Sequence, residues 1–255
     1  MTTRRRLMAM AGGGGALALV GAIPGRTWAQ EATPDALAAP YAPEIDPANF
    51  VTVIDNPYFP LVPGTTFHFE GLTEDGSETN DVVVTADTKV ILGVTCVVVR
   101  DIVRTGGEIT EDTTDWYAQD RDGNVWYLGE ESTDLEGGVV VSTKGSWESG
   151  VHLARPGIAM LADPKVGDRY RQEYQPGVAE DVGEVVRFED GVETPHGTFD
   201  NVLVTRDSNP LEPGNAEEKF YAPGVGLIRA VAVEGPAERI DLVAVTVGGD
   251  ATPTA

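Results

Sequence analysis

The chain has 255 residues, 41% of them hydrophobic, with 41 acidic against 18 basic residues and a formal net charge of −23. That balance makes nucleic acid and anionic membrane surfaces poor partners, because both repel a strongly negative protein. One cysteine excludes an intramolecular disulfide, while the length is enough for one sizeable core.

The first element is a leader over residues 1–29. A basic patch, Arg4-Arg5-Arg6, stands directly before a run from Ala9 to Ile23 built only of Ala, Gly, Met, Leu, Val and Ile. Small residues Thr27 and Ala29 then mark a cleavage site before Gln30, the order of an export signal peptide. The apolar run is too short for a membrane span of about 20 residues. Paired arginines before a weakly hydrophobic, Gly-rich core resemble the twin-arginine signal, although a general secretory leader with an extra arginine reads the same way. The expected location is therefore periplasmic or secreted, with the export machinery as one partner and no stable membrane anchor.

Residues 30–48 carry Pro34, Pro40, Pro43 and Pro47 among alanines and acids and read as a tether. Residues 49–144 form a first β repeat. Alternation in Thr66-Phe67-His68-Phe69-Glu70, branched runs at Asp81–Thr85 and Thr95–Val99, and strands at Asp115–Ala118 and Asn124–Leu128 are separated by turn signals such as Thr105-Gly106-Gly107 and Asp122-Gly123. Cys96 sits within a valine run as a small buried hydrophobe.

The densest polar and aromatic block lies between Glu111 and Tyr127. Asp120, Asp122 and Asn124 alternate around Gly123 as the first half of a calcium loop does, and an Asp-Gly hairpin turn explains the same letters without an ion. These three are the candidate metal ligands, and calcium is the only cofactor that the sequence suggests. Trp116, Tyr117, Trp126 and Tyr127 offer flat faces with polar tips for a ligand, while alternation places one of each adjacent pair in the core.

Residues 145–164 break the alternation and read as a connecting loop, either a functional cover that brings Trp147 and Arg155 as further ligand contacts or a plug that caps one end of the barrel. A second β repeat follows over 165–247. Its Arg169-Tyr170-Arg171-Gln172-Glu173 stretch puts Arg169, Arg171 and Glu173 on one strand face, as a salt-bridge ladder or as an anion contact through Arg171. Residues 248–255 form a loose tail.

The two repeats are related. Gly64-Thr65-Thr66-Phe67 corresponds to Gly167-Asp168-Arg169-Tyr170, Gly93 to Gly197, and Glu111–Ala118 to Asn215–Ala222, all at a nearly constant offset. The fold class expected is all-β, an antiparallel curved sheet closed as a barrel or sandwich from two related halves. No helical pattern with caps competes with it.

Asp115-Trp116-Tyr117-Ala118-Gln119-Asp120 and Gly123-Asn124-Val125-Trp126-Tyr127 resemble an uncharacterised family of exported bacterial β-rich proteins. Tyr221-Ala222-Pro223-Gly224-Val225-Gly226-Leu227 is similar to a strand-turn of periplasmic half-barrel proteins of the lipoprotein-carrier type. The three histidines show no metal-site spacing, and no nucleophile elbow occurs. The function expected is an exported binding or accessory protein holding a small or apolar ligand in a curved sheet through Trp116, Tyr117, Trp126, Trp147, Arg155 and Arg171. A secreted carboxylate-dependent hydrolase, cation-assisted or not, and a structural envelope protein are the alternatives.

Overall fold

The computed structural model describes residues 40–74 and 76–248. The leader, most of the tether and all of the tail but Gly248 lie outside them.

Among the described residues one 3-10 turn, Pro47–Asn49, is capped by Asp46, whose side chain accepts the Ala48 N–H. The first strand run follows as β1 (Phe50–Val51), β2 (Thr65–Thr73), β3 (Gly76–Ile91), β4 (Val94–Thr105), β5 (Glu108–Asp120), β6 (Val125–Glu136) and β7 (Val139–Ser142). Next come β8 (Trp147–Glu148), β9 (Arg155–Met160), β10 (Arg169–Arg171) and β11 (Glu173–Tyr174). The second run contains β12 (Val182–Glu189), the small hairpin β13 (Val192–Thr194) and β14 (Gly197–Phe199), then β15 (Val202–Ser208), β16 (Ala216–Ala222), β17 (Gly226–Glu234) and β18 (Arg239–Val247). Among the described residues there is no α-helix.

The main sheet is antiparallel, ordered β10-β12-β15-β16-β17-β18-β2-β3-β4-β5-β6-β9-β11. Its two ends belong to one kinked segment. β10 pairs with β12, β11 pairs with β9, and only Gln172 separates them. The Gln172 and Glu173 N–H groups both turn to the Asp181 carbonyl, at 2.8 and 3.4 Å. The sheet is thus nearly closed into a barrel, which removes the exposed edges an open sheet would present. Where β9 meets this segment the backbones approach so closely that a Cβ on Gly157 would lie 2.1 Å from the Gln172 carbonyl oxygen.

The 145–164 segment, expected as a loop, carries β8 and β9, which pair with β6. The open edge of β6 has backbone groups to satisfy, and the segment supplies them. Trp147 lies opposite Glu130 in that pairing, so its ring enters the core and is only 3% exposed.

The core lies inside the curve. Phe67, Phe69, Val82, Val84, Val97, Val99, Tyr117, Tyr127, Leu203, Tyr221 and Leu242 pack there, with Ile54, Phe59 and Leu61 of the segment before β2. A smaller cluster of Ile91, Val94, Cys96, Trp116, Ala118 and Leu128 forms on the other face of β4 to β6, covered by Ile45 and Phe50. Burial there pushes the Cys96 thiol up to about 12, so it behaves as a hydrophobe.

Candidate functional site

Alternation along β5 sets the site. Glu111, Thr113, Asp115 and Tyr117 share one parity and all face the barrel interior, buried. Asp101 on β4 lies opposite Thr113, and Asn80 on β3 donates its amide to Asp101 Oδ1 at 2.7 Å. The result is a buried polar band beside the aromatic core. The Tyr127 hydroxyl donates to Asp115 Oδ1 at 2.5 Å and lies 3.1 Å from Glu130 Oε2. The Thr113 hydroxyl donates to Glu111 Oε1 at 3.0 Å, with Ser132 Oγ equally near. The Tyr127 ring stacks on Tyr117 at 4.7 Å and meets Trp147 edge-on at 5.3 Å.

Burial dominates the electrostatics of this band. It pushes the Asp101 carboxyl up to about 7, with Glu130, Asp112 and Asp81 adding repulsion, and it raises Glu111 and Asp115 well above the carboxylate range. Among the described residues no lysine or arginine forms an ion pair with Asp101, Glu111 or Asp115. The Asn80 Oδ1 and Glu111 Oε2 acceptors are buried with no hydrogen-bond partner.

The second run has a buried polar group of different charge. Lys219 Nζ lies 3.0 Å from both Asp207 Oδ2 and Glu217 Oε1, with a side chain 3% exposed. Gln172 of the closing segment donates to Asp207 Oδ2 at 3.0 Å, and Thr205 donates to Oδ1 at 2.9 Å. These two carboxylates hold the ammonium charged despite the desolvation that opposes it.

An apolar pocket of about 40 Å³ adjoins the acidic band, lined by Phe59, Leu61, Phe67, Phe69, Val82 and Tyr221 among others. Val82 lies directly opposite Asp101 in the strand pairing, so the pocket and the acids meet along β3. A larger polar cavity of about 310 Å³ lies under the Asn209–Asn215 loop, where Arg169, Glu184, Arg206 and Glu234 line it. Its arginines are engaged, Arg169 by Glu184 at 3.5 Å and Arg206 by Glu234.

The structure separates the residues singled out by sequence. Tyr117 and Trp147 reach the interior. Trp116 lies on the other face under Lys89, whose Nζ is 3.2 Å from the ring centre, and Trp126 donates its indole N–H to Asp120 Oδ2 at 2.8 Å. Arg155 is exposed on β9. Arg171 stacks on Tyr174 and Tyr41, at 4.8 and 5.7 Å, and Tyr41 donates to the Pro156 carbonyl. Arg169, Arg171 and Glu173 do not share a face, because the kink at Gln172 turns Glu173 inward and leaves it fully buried.

Asp120, Asp122 and Asn124 form a hairpin turn. Asp120 Oδ1 accepts the Asn124 N–H and Oδ2 accepts the Asn124 amide and the Trp126 indole, while Asn124 Oδ1 accepts the Ala162 N–H. Asp122 is exposed, so their oxygens serve the turn instead of converging. Asp101, Glu111, Asp115, Glu130 and Lys219 were missed in the sequence. The available signal was parity, because an inward Tyr117 takes Asp115, Thr113 and Glu111 with it.

No protein-family model and no curated protein matches the chain. Two solved structures are similar to it. One is a candidate exported protein with a YMCC-like fold from Bacteroides fragilis NCTC 9343, 17% identical, covering 74% of this chain and 98% of its own, with a TM-score of 0.45. The other is a candidate lipoprotein from Parabacteroides distasonis ATCC 8503, 13% identical with the same coverages and a TM-score of 0.42. Among the described residues no helix is long and apolar enough to cross a membrane.

Proposed function

We propose that the chain is an exported binding or accessory protein that works outside the cytoplasm and holds a small ligand inside its curved sheet. One observation carries this reading: Asp101, Glu111 and Asp115 are buried in a band that meets an apolar pocket at Val82, and within that band Glu111 Oε2 and Asn80 Oδ1 have no hydrogen-bond partner. Burying acids costs free energy, and a sheet with only a structural role gains more from apolar residues of similar size. The two five-strand runs, β2 to β6 and β10 with β12 and β15 to β17, read as a duplication in which one copy kept a structural interior and the other a receptive one.

The test is thermal denaturation of the full chain against lipids, sugars, amines and metal salts. A ligand at about 100 times its dissociation constant adds about 2.7 kcal/mol of stability. At least one class is expected to raise the melting temperature, and Tyr127→Phe, which removes the hydroxyl between Asp115 and Glu130, is expected to shrink that rise. If no class shifts the protein, the interior holds nothing. For the export route, lysines at Arg5 and Arg6 are expected to retain the protein in the cytoplasm; unchanged export would leave the general secretory route.

A second reading rests on the Tyr127 hydroxyl, which bridges Asp115 and Glu130. Two carboxylates sharing one hydroxyl are an acid/base pair in form, so a secreted hydrolase is the alternative. Turnover of chromogenic ester or glycoside substrates, lost in Asp115→Asn, would favour it over simple binding.

A further inference from the structure

The strand registers of the two runs place their interiors in correspondence. In the first, Val97, Val99 and Asp101 of β4 lie opposite Tyr117, Asp115 and Thr113 of β5. In the second, Leu203, Thr205 and Asp207 of β15 lie opposite Tyr221, Lys219 and Glu217 of β16. The tyrosines match, and so do the aspartates. At the middle position the second run has the buried lysine that neutralises its acids, and the first run has another acid, Asp115.

We infer that the first run is a receptor for a primary ammonium on a short alkyl ligand, which supplies from outside the cation that Lys219 supplies in the second run. This rests on the reading that the interior holds a small ligand. Two observations support the ammonium. Asp101, Glu111 and Asp115 are buried without an ion pair to any described lysine or arginine, whereas Asp207 and Glu217 share one. Asn80, fully buried and bonded to Asp101 through its amide nitrogen, has its oxygen unpartnered, and Glu111 Oε2 is a second unused acceptor. An ammonium has three donors and no acceptor, which suits a lining that offers acceptors.

A metal ion fits less well. Among the described residues no three acids, histidines or cysteines gather closely enough to hold one. The length of the ligand follows from the apolar pocket. At about 40 Å³ it is small, so the part of the ligand that enters it is short. Val82 lines that pocket and lies opposite Asp101, so an ammonium among the acids can extend its chain into it.

The experiment is calorimetric titration of the full chain with n-butylamine, 1-butanol and calcium chloride at about pH 8, above the value of about 7 to which burial raises Asp101. Butylamine is expected to bind, and 1-butanol to bind about tenfold more weakly or less, the scale of one charge-assisted hydrogen bond. Asp115→Asn and Asp101→Asn are each expected to weaken butylamine by a similar factor while melting no lower than the parent. Exposed Asp122→Asn is expected to leave binding unchanged. Equal binding of 1-butanol overturns the ammonium and keeps the interior site. Stoichiometric calcium that competes with butylamine replaces the ammonium with a metal ion. If no probe binds and both asparagine variants melt lower, the acids are structural and the ammonium reading fails; a response to another class in the wider ligand panel would then still uphold the interior site.

Discussion

Replacing Lys219 with methionine removes the one cation from a buried trio while keeping the length of the side chain. Lys219 Nζ is 3.0 Å from each of Asp207 and Glu217, and its side chain is 3% exposed. Breaking a buried pair by deleting one partner leaves an uncompensated charge and costs about 3–5 kcal/mol. The cost depends on pH. Burial, opposed by Lys219, holds Glu217 at about 7, above its ordinary 4.5. A raised carboxyl contributes stability that is present below its unfolded pKa and is lost as pH rises through the folded one. Near pH 5 Glu217 is therefore largely protonated already and loss of the ammonium leaves only Asp207 without its cation; near pH 8 the parent holds Glu217 largely ionised against the ammonium, and without it Glu217 must take up a proton or keep an unpaired buried charge, so the loss is larger. Urea unfolding of parent and Lys219→Met at about pH 5 and pH 8 reads this directly, with the slope checked for two-state behaviour. A loss below about 1 kcal/mol at the higher pH, or a larger loss at the lower, refutes the reasoning.

Three further outcomes are expected. Asp101→Asn removes a carboxyl raised from 3.8 to about 7, a penalty on the order of 4 kcal/mol that appears as pH rises through that range, so the variant should gain on the parent above pH 7 and match it near pH 4 in urea titrations. Gly157→Ala drives a methyl against the Gln172 carbonyl and should cost about 1–3 kcal/mol or more, with faster amide exchange in residues 155–174 where the sheet closes. Cys96, buried with its thiol pushed up to about 12, should resist maleimide until the protein unfolds, and labelling of the native chain would contradict its burial.

Much of the sheet was legible in the sequence. Alternation in β2 and the glycine turns mark strands because side-chain period and turn chemistry are local. Tyr117 and Tyr127 face inward while Trp116 and Trp126 do not, as one-in-one-out alternation requires. The site was less legible. Acids occur throughout the chain, and although parity on β5 carries Asp115 and Glu111 inward with Tyr117, Glu130 enters beside Tyr127 only because the β5–β6 register shifts at Leu128, opposite Trp116 and Tyr117. Trp147 and the 145–164 segment read as a cover because edge pairing with β6 is a long-range choice that local pattern does not encode. The kink at Gln172 likewise answers to Asp181 and Gly157, distant in sequence or on another strand, and it undoes the shared face expected of Arg169, Arg171 and Glu173.

The most direct measurement of the central claim is a crystal structure of the full chain grown with n-butylamine. The account predicts the amine nitrogen within hydrogen-bonding distance of Asp101, Asp115 or the Asn80 oxygen, with its carbons toward Val82 and Phe69. An empty interior, or amine bound only among the outer carboxylates, would contradict it.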